Sequence, residues 1–233
     1  MYLRRVHSRS PPVHFHERKG TALTHIATSA EAQATTAPAK RSLNWRVIDI
    51  IVAAVLGVAT AVIFRAWDFI AGPLSDPLDA VVPGIAALTA GIWLIGGVLG
   101  GLIIRKPGAA FFVEAFAAFM SWMLGSPWGI DTFYSGLVQG LGAEIIFAIF
   151  LYRQFGPLVA ALAGGLSAVF AWVLYLAIYA YADYGFEYNA IYLGCSILSG
   201  MVLAGILGWL LTKALAATGA LDRLASGRSA KRV

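Results

Sequence analysis

The sequence predicts an all-α membrane protein with six transmembrane helices and both termini in the cytoplasm. Of its 233 residues, 59% are hydrophobic and only 12% are charged, whereas roughly 25% of the residues in a typical soluble domain are charged. The apolar residues form long runs, and a hydrocarbon core of ~30 Å needs about 20 of them per helix. The predicted spans are residues 45–71, 77–104, 108–125, 132–152, 156–182 and 188–217.

The apolar runs are predicted to be helices because a chain in lipid must satisfy its backbone hydrogen bonds internally. The run 155–182, for example, does not alternate polar and apolar residues as a half-buried strand would. Residues 45–217 are therefore expected to form one helical bundle.

The charge distribution predicts the orientation of the bundle. Sixteen of the 17 Lys and Arg residues fall on one side of the predicted topology, with Arg65 as the exception, whereas six of the 12 acidic residues fall on the other side. Because cytoplasmic loops carry an excess of Lys and Arg, the basic side is predicted to be cytoplasmic. The acidic residues on the predicted outer side are Asp68, Asp76, Asp79, Asp131, Asp183 and Glu187.

The two terminal segments differ from the bundle in composition. Residues 1–40 are polar and rich in Ser, Thr, Ala and Arg, and we predict a disordered cytoplasmic tail. Residues 218–233 are predicted to form a basic cytoplasmic tail. The net charge of +5 comes from residues flanking the spans, which is typical of contact with anionic lipid and argues against nucleic-acid binding.

The residue inventory argues against an enzyme. All four His residues lie in the N-terminal tail, so the predicted spans offer no imidazole for a nucleophile or a metal. The chain has one cysteine, Cys195, and lacks a Gly-rich loop followed by Lys and Ser or Thr. We expect no catalytic residue, metal or cofactor, and any ATP used in transport must be hydrolysed by another subunit.

Polar residues within the predicted spans indicate a site, because they are costly in lipid. At ~1.5 Å per residue, Glu114 and Glu144 lie about 9 and 14 Å from the inner ends of their helices. Trp122 and Gln139 both lie about 21 Å from the inner side.

Four stripes of polar, aromatic and small residues at helical spacing are predicted to face the bundle interior. They predict a cavity that is lined by aromatic and amide groups and opens to the outside. Gly136 and Gly140, in the stripe that includes Glu144, have a second explanation as helix-packing residues. The stripes are Glu114, Ala118, Ser121, Trp122 and Gly125; Thr132, Gly136, Gly140 and Glu144; Asn189, Tyr192, Ser196 and either Ser199 or Gly200; and Tyr175, Tyr179 and Asp183.

The first span carries Ala53, Gly57 and Ala61 at every fourth position, which gives a small-residue groove. Grooves of this kind allow close approach of another helix. From the pattern alone, the partner helix lies either within the same chain or in a second copy.

The stretch 93–152 resembles the YkoE-type substrate-binding component of energy-coupling factor (ECF) transporters. Residues 105–109, Arg-Lys-Pro-Gly-Ala, and 139–144, Gln-Gly-Leu-Gly-Ala-Glu, are the specific part, and Gly-Ser-Pro-Trp-Gly at 125–129 adds to it. The similarity extends over all six spans. It implies an ECF S-component-like bundle in the plasma membrane that captures thiamine or its hydroxymethylpyrimidine precursor from outside.

The resemblance also implies partners. Components of this type associate with a transmembrane coupling subunit and a pair of cytoplasmic ATPases, usually through an Ala-x-x-x-Ala motif on the first span. Here the matching positions are Ala53, Gly57 and Ala61, which are therefore the expected partner interface.

The polar stripes supply candidate ligands for a pyrimidine-bearing vitamin. Trp122 or Tyr134 would stack on the ring, and Gln139 or Asn189 would complement its amine and ring nitrogens. Glu144 is the candidate carboxylate for the amine or for a thiazolium charge. The remaining predicted substrate-binding residues are Glu114, Tyr188 and Tyr192.

Two other functions fit the sequence without the resemblance. A self-sufficient secondary transporter of a small cationic or aromatic solute would use Glu114 and Glu144 to relay protons. A structural membrane scaffold would use the small-residue groove of the first span.

Overall fold

The computed structural model describes residues 43–230, which contain helices and no strand, so the all-α prediction is confirmed for this part of the chain. The predicted tail 1–40 lies outside the described residues. The helices are α1 (Val47–Val81), a 3-10 segment (Ile85–Leu94), α2 (Ile95–Ile104), α3 (Ala109–Met123), α4 (Asp131–Ile149), α5 (Pro157–Ile178), a short 3-10 turn (Tyr181–Tyr184), α6 (Gly185–Ser199), a π-helical segment (Gly200–Ile206), α7 (Leu207–Ala217) and α8 (Ala225–Ala230).

Five helical runs of the described residues are long and apolar enough to cross a membrane, which makes the chain a multi-pass membrane protein. The third predicted span, 108–125, contains the 15-residue helix α3, which is shorter than the roughly 20 residues a full crossing needs. The five runs are Val47–Val81, Ile85–Ile104, Asp131–Ile149, Pro157–Ile178 and Tyr181–Ala217.

Helix α1 extends ten residues beyond its predicted end at residue 71, so the predicted start of the second span at residue 77 is wrong. Pro73 and Pro77 lie inside this 35-residue helix. Prolines are tolerated within membrane helices because neighbouring groups can satisfy the freed carbonyls. The break falls instead at Gly84, whose φ of 94° favours glycine. The Asp79 carboxylate accepts the Gly84 and Ala86 N–H groups at 2.9 and 3.1 Å.

Helix α2 lies at the centre of the bundle, since all ten of its residues are buried. Its glycines allow the surrounding helices to approach. A Cβ atom added at Gly101 would lie 2.1 Å from the Phe147 ring of α4, and one added at Gly100 would lie 2.6 Å from the Ala109 carbonyl of α3. Small residues thus let three helices pack closely.

Residues 221–227 pack against the bundle, although residues 218–233 were predicted to form a tail. Leu221 and Leu224 are buried, and the Ser226 hydroxyl donates to the Ile103 carbonyl at 2.9 Å. The Arg46 guanidinium donates to the Arg223 carbonyl at 3.3 Å. The start of α1 and the segment before α8 therefore lie at the same end of the bundle, the end predicted to be cytoplasmic.

Candidate functional site

A cavity of about 470 Å³ lies between the C-terminal half of α1, the 3-10 segment, α4, α5 and α6. It contains Asp79 and Asp131, which belong to the end of the bundle predicted to be extracellular. Its volume falls within the range of about 300–1,000 Å³ that is typical of small-molecule sites.

Five tyrosines line one wall of this cavity: Tyr175, Tyr179, Tyr181, Tyr188 and Tyr192. The Tyr181 ring centroid lies 5.2 Å from that of Tyr192 and 5.3 Å from that of Tyr175. Tyr188 and Tyr192 stack at 5.9 Å, because a spacing of four residues places them on one face of α6. We refer to these five residues as the tyrosine wall.

The Tyr181 turn is fixed by Asn189. The Asn189 side-chain amide donates to the carbonyls of Tyr181 and Gly185 at 2.6 and 2.8 Å, and its oxygen accepts the Trp172 indole N–H at 3.1 Å. Asn189 therefore fixes the backbone of the turn that carries Tyr181, and it does not itself line the cavity.

A polar stripe on α4 faces the tyrosine wall. Asp131, Ser135 and Gln139 are separated by four residues each, and all three line the cavity. The Tyr175 hydroxyl interacts with the side chains of Ser135 and Gln139. The stripe thus offers a carboxylate, a hydroxyl and a primary amide along one side of the cavity.

Two tryptophans, Trp93 and Trp128, border the cavity near its predicted outer end. Their ring centroids lie 5.2 Å apart with an interplanar angle of 89°. The Trp93 indole donates to the Asp68 carboxylate at 2.9 Å, and Asp68 also pairs with Arg65. The hydrogen bond to Asp68 holds the Trp93 ring in place, and the Arg65–Asp68 ion pair neutralises the Arg65 charge.

The arrangement suits a planar, electron-poor or cationic ring. Tyrosine and tryptophan faces stack on aromatic ligands and attract cations by ~0.5–2 kcal/mol. Asp131 adds a negative charge, while Asp79 is occupied with backbone N–H groups of the 3-10 segment. Within residues 43–230 no group of three His, Cys, Asp or Glu side chains is placed to hold a metal ion.

Three of the eight predicted substrate-binding residues line the cavity: Gln139, Tyr188 and Tyr192. The others, Glu144, Glu114, Trp122, Tyr134 and Asn189, do not line it. Trp122 packs edge-on against Phe119 at 5.8 Å, and Tyr134 is half-exposed beside Phe133.

The Glu144 carboxylate is bound by four donors of the protein. It accepts the backbone N–H groups of Gly108, Ala110 and Phe111 at 2.6, 2.9 and 3.2 Å. The Tyr152 hydroxyl donates to it at 2.6 Å. Glu144 thus caps the N-terminus of α3, where unpaired N–H groups and the helix dipole favour a carboxylate.

Glu114 is buried at the interface of α2, α3 and α4. One carboxylate oxygen accepts the Gly97 N–H, and the other has no hydrogen-bond partner among the described residues. An added Cβ at Gly140 would lie 3.0 Å from the Glu114 Cβ, which places Glu114 directly against α4. Glu114 and Glu144 contact different backbone segments, and neither reaches the cavity.

The predicted partner-interface residues Ala53, Gly57 and Ala61 are all buried. A Cβ added at Gly57 would lie 2.7 Å from the Phe116 ring of α3. In this structure the groove is therefore filled by a helix of the same chain, and contact of these residues with another subunit stays a prediction. The opposite face of α1 is apolar and exposed, as at Val55 and Val62.

Two adjacent stripes run along α4, and the glycines of the stripe predicted to face the cavity pack against α3 instead. Gly136 and Gly140 contact α3, since added Cβ atoms would lie 2.2 Å from the Ala118 Cβ and 3.0 Å from the Phe111 carbonyl. The stripe Asp131, Ser135 and Gln139 begins one residue earlier, about 100° around the helix. Its spacing was readable in the sequence and would have identified Asp131 and Ser135.

Three comparisons relate the chain to known proteins. Residues 48–170 match the family described as the permease component of an ABC-type cobalt transport system. A curated relative, the HMP/thiamine permease protein YkoE of Bacillus subtilis, is 33% identical over 189 residues, which cover 81% of this chain and 94% of the relative. A crystal structure of an S-component of an ECF transporter matches with a TM-score of 0.75 and 34% identity, covering 81% of this chain and 94% of the other.

Proposed function

Because the chain belongs to the YkoE family of ECF substrate-binding components, we propose that it is the substrate-capture subunit of an ATP-driven vitamin importer in the plasma membrane. Its substrate is thiamine or the hydroxymethylpyrimidine precursor of thiamine. The observation that carries this proposal is the cavity between the tyrosine wall and the polar stripe of α4.

The cavity complements an aminopyrimidine. The tyrosine wall offers ring faces for stacking, with Tyr188 and Tyr192 already parallel within 24°. Gln139 is buried at the cavity, and its amide has both a donor and an acceptor for the amine and ring nitrogens. A buried amide that hydrogen-bonds the amine and ring nitrogens favours an aminopyrimidine over an analogue without these nitrogens, because the amide would then be left unpaired.

Asp131 favours thiamine over its precursor. Thiamine carries a permanent positive charge on its thiazolium ring, whereas hydroxymethylpyrimidine is neutral at pH 7. Asp79 and Asp131 both line the cavity, but the Asp79 carboxylate already accepts backbone N–H groups of the 3-10 segment. Asp131 is therefore the candidate partner for a cationic ring. The charge and the surrounding tyrosine faces would both attract the thiazolium ring.

The sequence has no phosphate-binding loop of the P-loop type, so the ATP of an ATP-driven importer would be hydrolysed by other subunits. We propose a transmembrane coupling subunit and cytoplasmic ATPases in this role. At the predicted inner end of the bundle, the Asp49 carboxylate forms ion pairs with Lys106 at 2.7 Å and with Arg46 at 2.9 Å. Inward release therefore calls for a rearrangement or reorientation driven by those partners.

The test is calorimetric titration of the detergent-purified chain with thiamine and with hydroxymethylpyrimidine. We expect wild-type protein to bind at least one of them, and Gln139→Leu to weaken that binding about tenfold or more, because the substrate loses a buried hydrogen-bonding partner. Trp122→Ala is the matched control, since Trp122 lies outside the cavity lining.

Two results would overturn the proposal. A folded wild-type sample that binds neither compound would remove the vitamin assignment. Uptake in vesicles that persists without any ATPase subunit would instead favour a self-sufficient secondary transporter.

A further inference from the structure

A second cavity, of about 630 Å³, lies at the opposite end of the bundle from the cavity that the tyrosine wall lines. It is formed by the C-terminal end of α2, by α7 and by the residues that connect α7 to α8. Two cations, Arg105 and Lys213, line it. We propose that this cavity binds the phosphate headgroup of an anionic phospholipid from the predicted inner leaflet.

Both cations are positioned by aromatic rings. The Lys213 ammonium lies 4.7 Å from the centroid of the Trp209 ring, and the Arg105 guanidinium carbon lies 4.5 Å from that of Phe155. Arg105 Nε also donates to the Leu102 carbonyl at 3.0 Å. Side chains held in this way lose less conformational entropy when they bind an anion than mobile surface lysines would.

The described lining residues of the cavity carry a net positive charge. Among them Asp222 is the one carboxylate, so the three charged side chains of this described set sum to +1. The Asp222 carboxylate lies on the Gly219 side of the cavity, because a Cβ added at Gly219 would be 3.5 Å from it. A phosphate diester carries one negative charge and would balance this set.

Three hydroxyl groups among the described lining residues already donate to backbone carbonyls. Thr212 donates to Gly208 at 2.9 Å, Thr218 to Leu215 at 2.8 Å, and Ser226 to Ile103 at 2.9 Å. The side-chain donors that face a ligand are therefore those of the two cations and the Trp209 indole N–H. This set favours an anion over a neutral polar molecule such as a sugar, which needs several hydroxyl and amide partners.

The position favours a lipid over a soluble anion. Lys213 lies four residues before the end of the apolar run Tyr181–Ala217. Helix α7 also exposes Leu210, Leu211 and Leu215, which offer a surface for acyl chains. Basic pockets between helices at the cytoplasmic surface of a membrane are suited to acidic lipid headgroups.

Native mass spectrometry of the purified chain tests this site, with phosphatidylglycerol and phosphatidylcholine as probes. We expect wild-type protein to bind phosphatidylglycerol preferentially. Lys213→Gln and Arg105→Gln should each weaken its binding about fivefold, as expected for one cation near an anionic membrane surface. Phosphatidylcholine binding should stay the same in all variants.

Arg153→Gln is the matched control, because it removes a cation near the same predicted end from a residue that does not line the cavity. Equal loss of phosphatidylglycerol binding in this control would overturn the proposal, as would equal binding of the two lipids by wild type. Inorganic phosphate that binds with the same dependence on Lys213, in the absence of phosphatidylglycerol binding, would overturn the lipid assignment. Unchanged melting temperatures of both variants in lipid-free detergent would show that the loss is not due to unfolding.

Discussion

The two ends of the bundle use polar residues in different ways. At the predicted inner end, carboxylates are occupied by protein donors: Glu144 accepts three N–H groups and one hydroxyl, and Asp49 pairs with Lys106 and Arg46. At the predicted outer end, Asp131, Ser135 and Gln139 surround a cavity together with the tyrosine wall.

Whether a polar side chain is bound by other protein groups or lines the cavity distinguishes structural from candidate binding residues better than residue type does. Glu144 was the predicted substrate ligand because it lies deep within a predicted span, and Asp131 was not selected. In the structure, however, the Glu144 carboxylate caps α3 and accepts hydrogen bonds from four donors of the protein. Substitutions of these inner-end carboxylates should therefore change stability more than vitamin affinity, and substitutions of the cavity-lining residues Asp131 and Gln139 should do the reverse. Four predictions test this contrast, in order of decreasing expected effect.

The largest expected effect is a loss of stability in Asp49→Ala. The buried Lys106 ammonium would lose its carboxylate partner, and removing one member of a buried pair is costly, so we expect about 3 kcal/mol less unfolding free energy. Asp76→Ala, near the other end of the same helix and exposed, is the control and should change stability by less than about 0.5 kcal/mol. Equal effects in denaturant unfolding would contradict the contrast.

The second prediction concerns Glu144→Ala, which should lower the unfolding free energy by about 2 kcal/mol. The substitution removes the cap of α3 and leaves its N–H groups without their acceptor. Vitamin affinity, measured by calorimetry on the folded fraction, should change less than twofold. Loss of vitamin binding with unchanged stability would show that Glu144 is a substrate ligand, as the sequence predicted.

The third prediction concerns a cavity-lining residue, whose substitution should change affinity and not stability. Asp131→Asn should weaken thiamine binding about tenfold, because a charge-assisted interaction is lost, while hydroxymethylpyrimidine binding and stability stay the same. Asp183→Asn removes an exposed acid near the same end that does not line the cavity, and it should leave both affinities unchanged. Equal weakening of both ligands in Asp131→Asn would argue against a charge interaction with the thiazolium ring.

The smallest effect is expected in the groove of α1. Gly57→Ala should cost about 1 kcal/mol, since its Cβ would meet the Phe116 ring at 2.7 Å. Gly194→Ala in α6, an exposed helical position where an added Cβ meets nothing within 4 Å, should instead stabilise by roughly 0.5–1 kcal/mol.

Thermal unfolding in detergent distinguishes the two glycine variants by the sign of the shift. Co-purification with the coupling subunit provides the second measurement for the same pair. If Gly57→Ala blocks assembly without changing stability, the groove opens to a partner after all.

Several features could be predicted from the sequence because they depend on composition along the chain. The apolar runs predicted the helices of the bundle, but the boundary expected between residues 71 and 77 falls at Gly84 instead, and the third predicted span contains only the 15-residue helix α3. The segments Arg-Lys-Pro-Gly-Ala and Gln-Gly-Leu-Gly-Ala-Glu identified the family. Of the predicted substrate-binding residues, Gln139, Tyr188 and Tyr192 line the cavity, and their contact with a substrate stays a prediction.

Hydropathy, helical periodicity and family motifs thus determined that this protein is a helical, membrane-embedded substrate-binding component. Only the tertiary structure decided which face of each helix meets a cavity. Ser135 and Gly136 differ by one position in the chain, but one lines the cavity and the other contacts α3. The donors to Glu144 from Gly108, Ala110 and Phe111 lie 33 to 36 residues earlier. The periodicity of one helix gives the relative directions of its side chains, whereas the partner of each side chain depends on where the other helices pack.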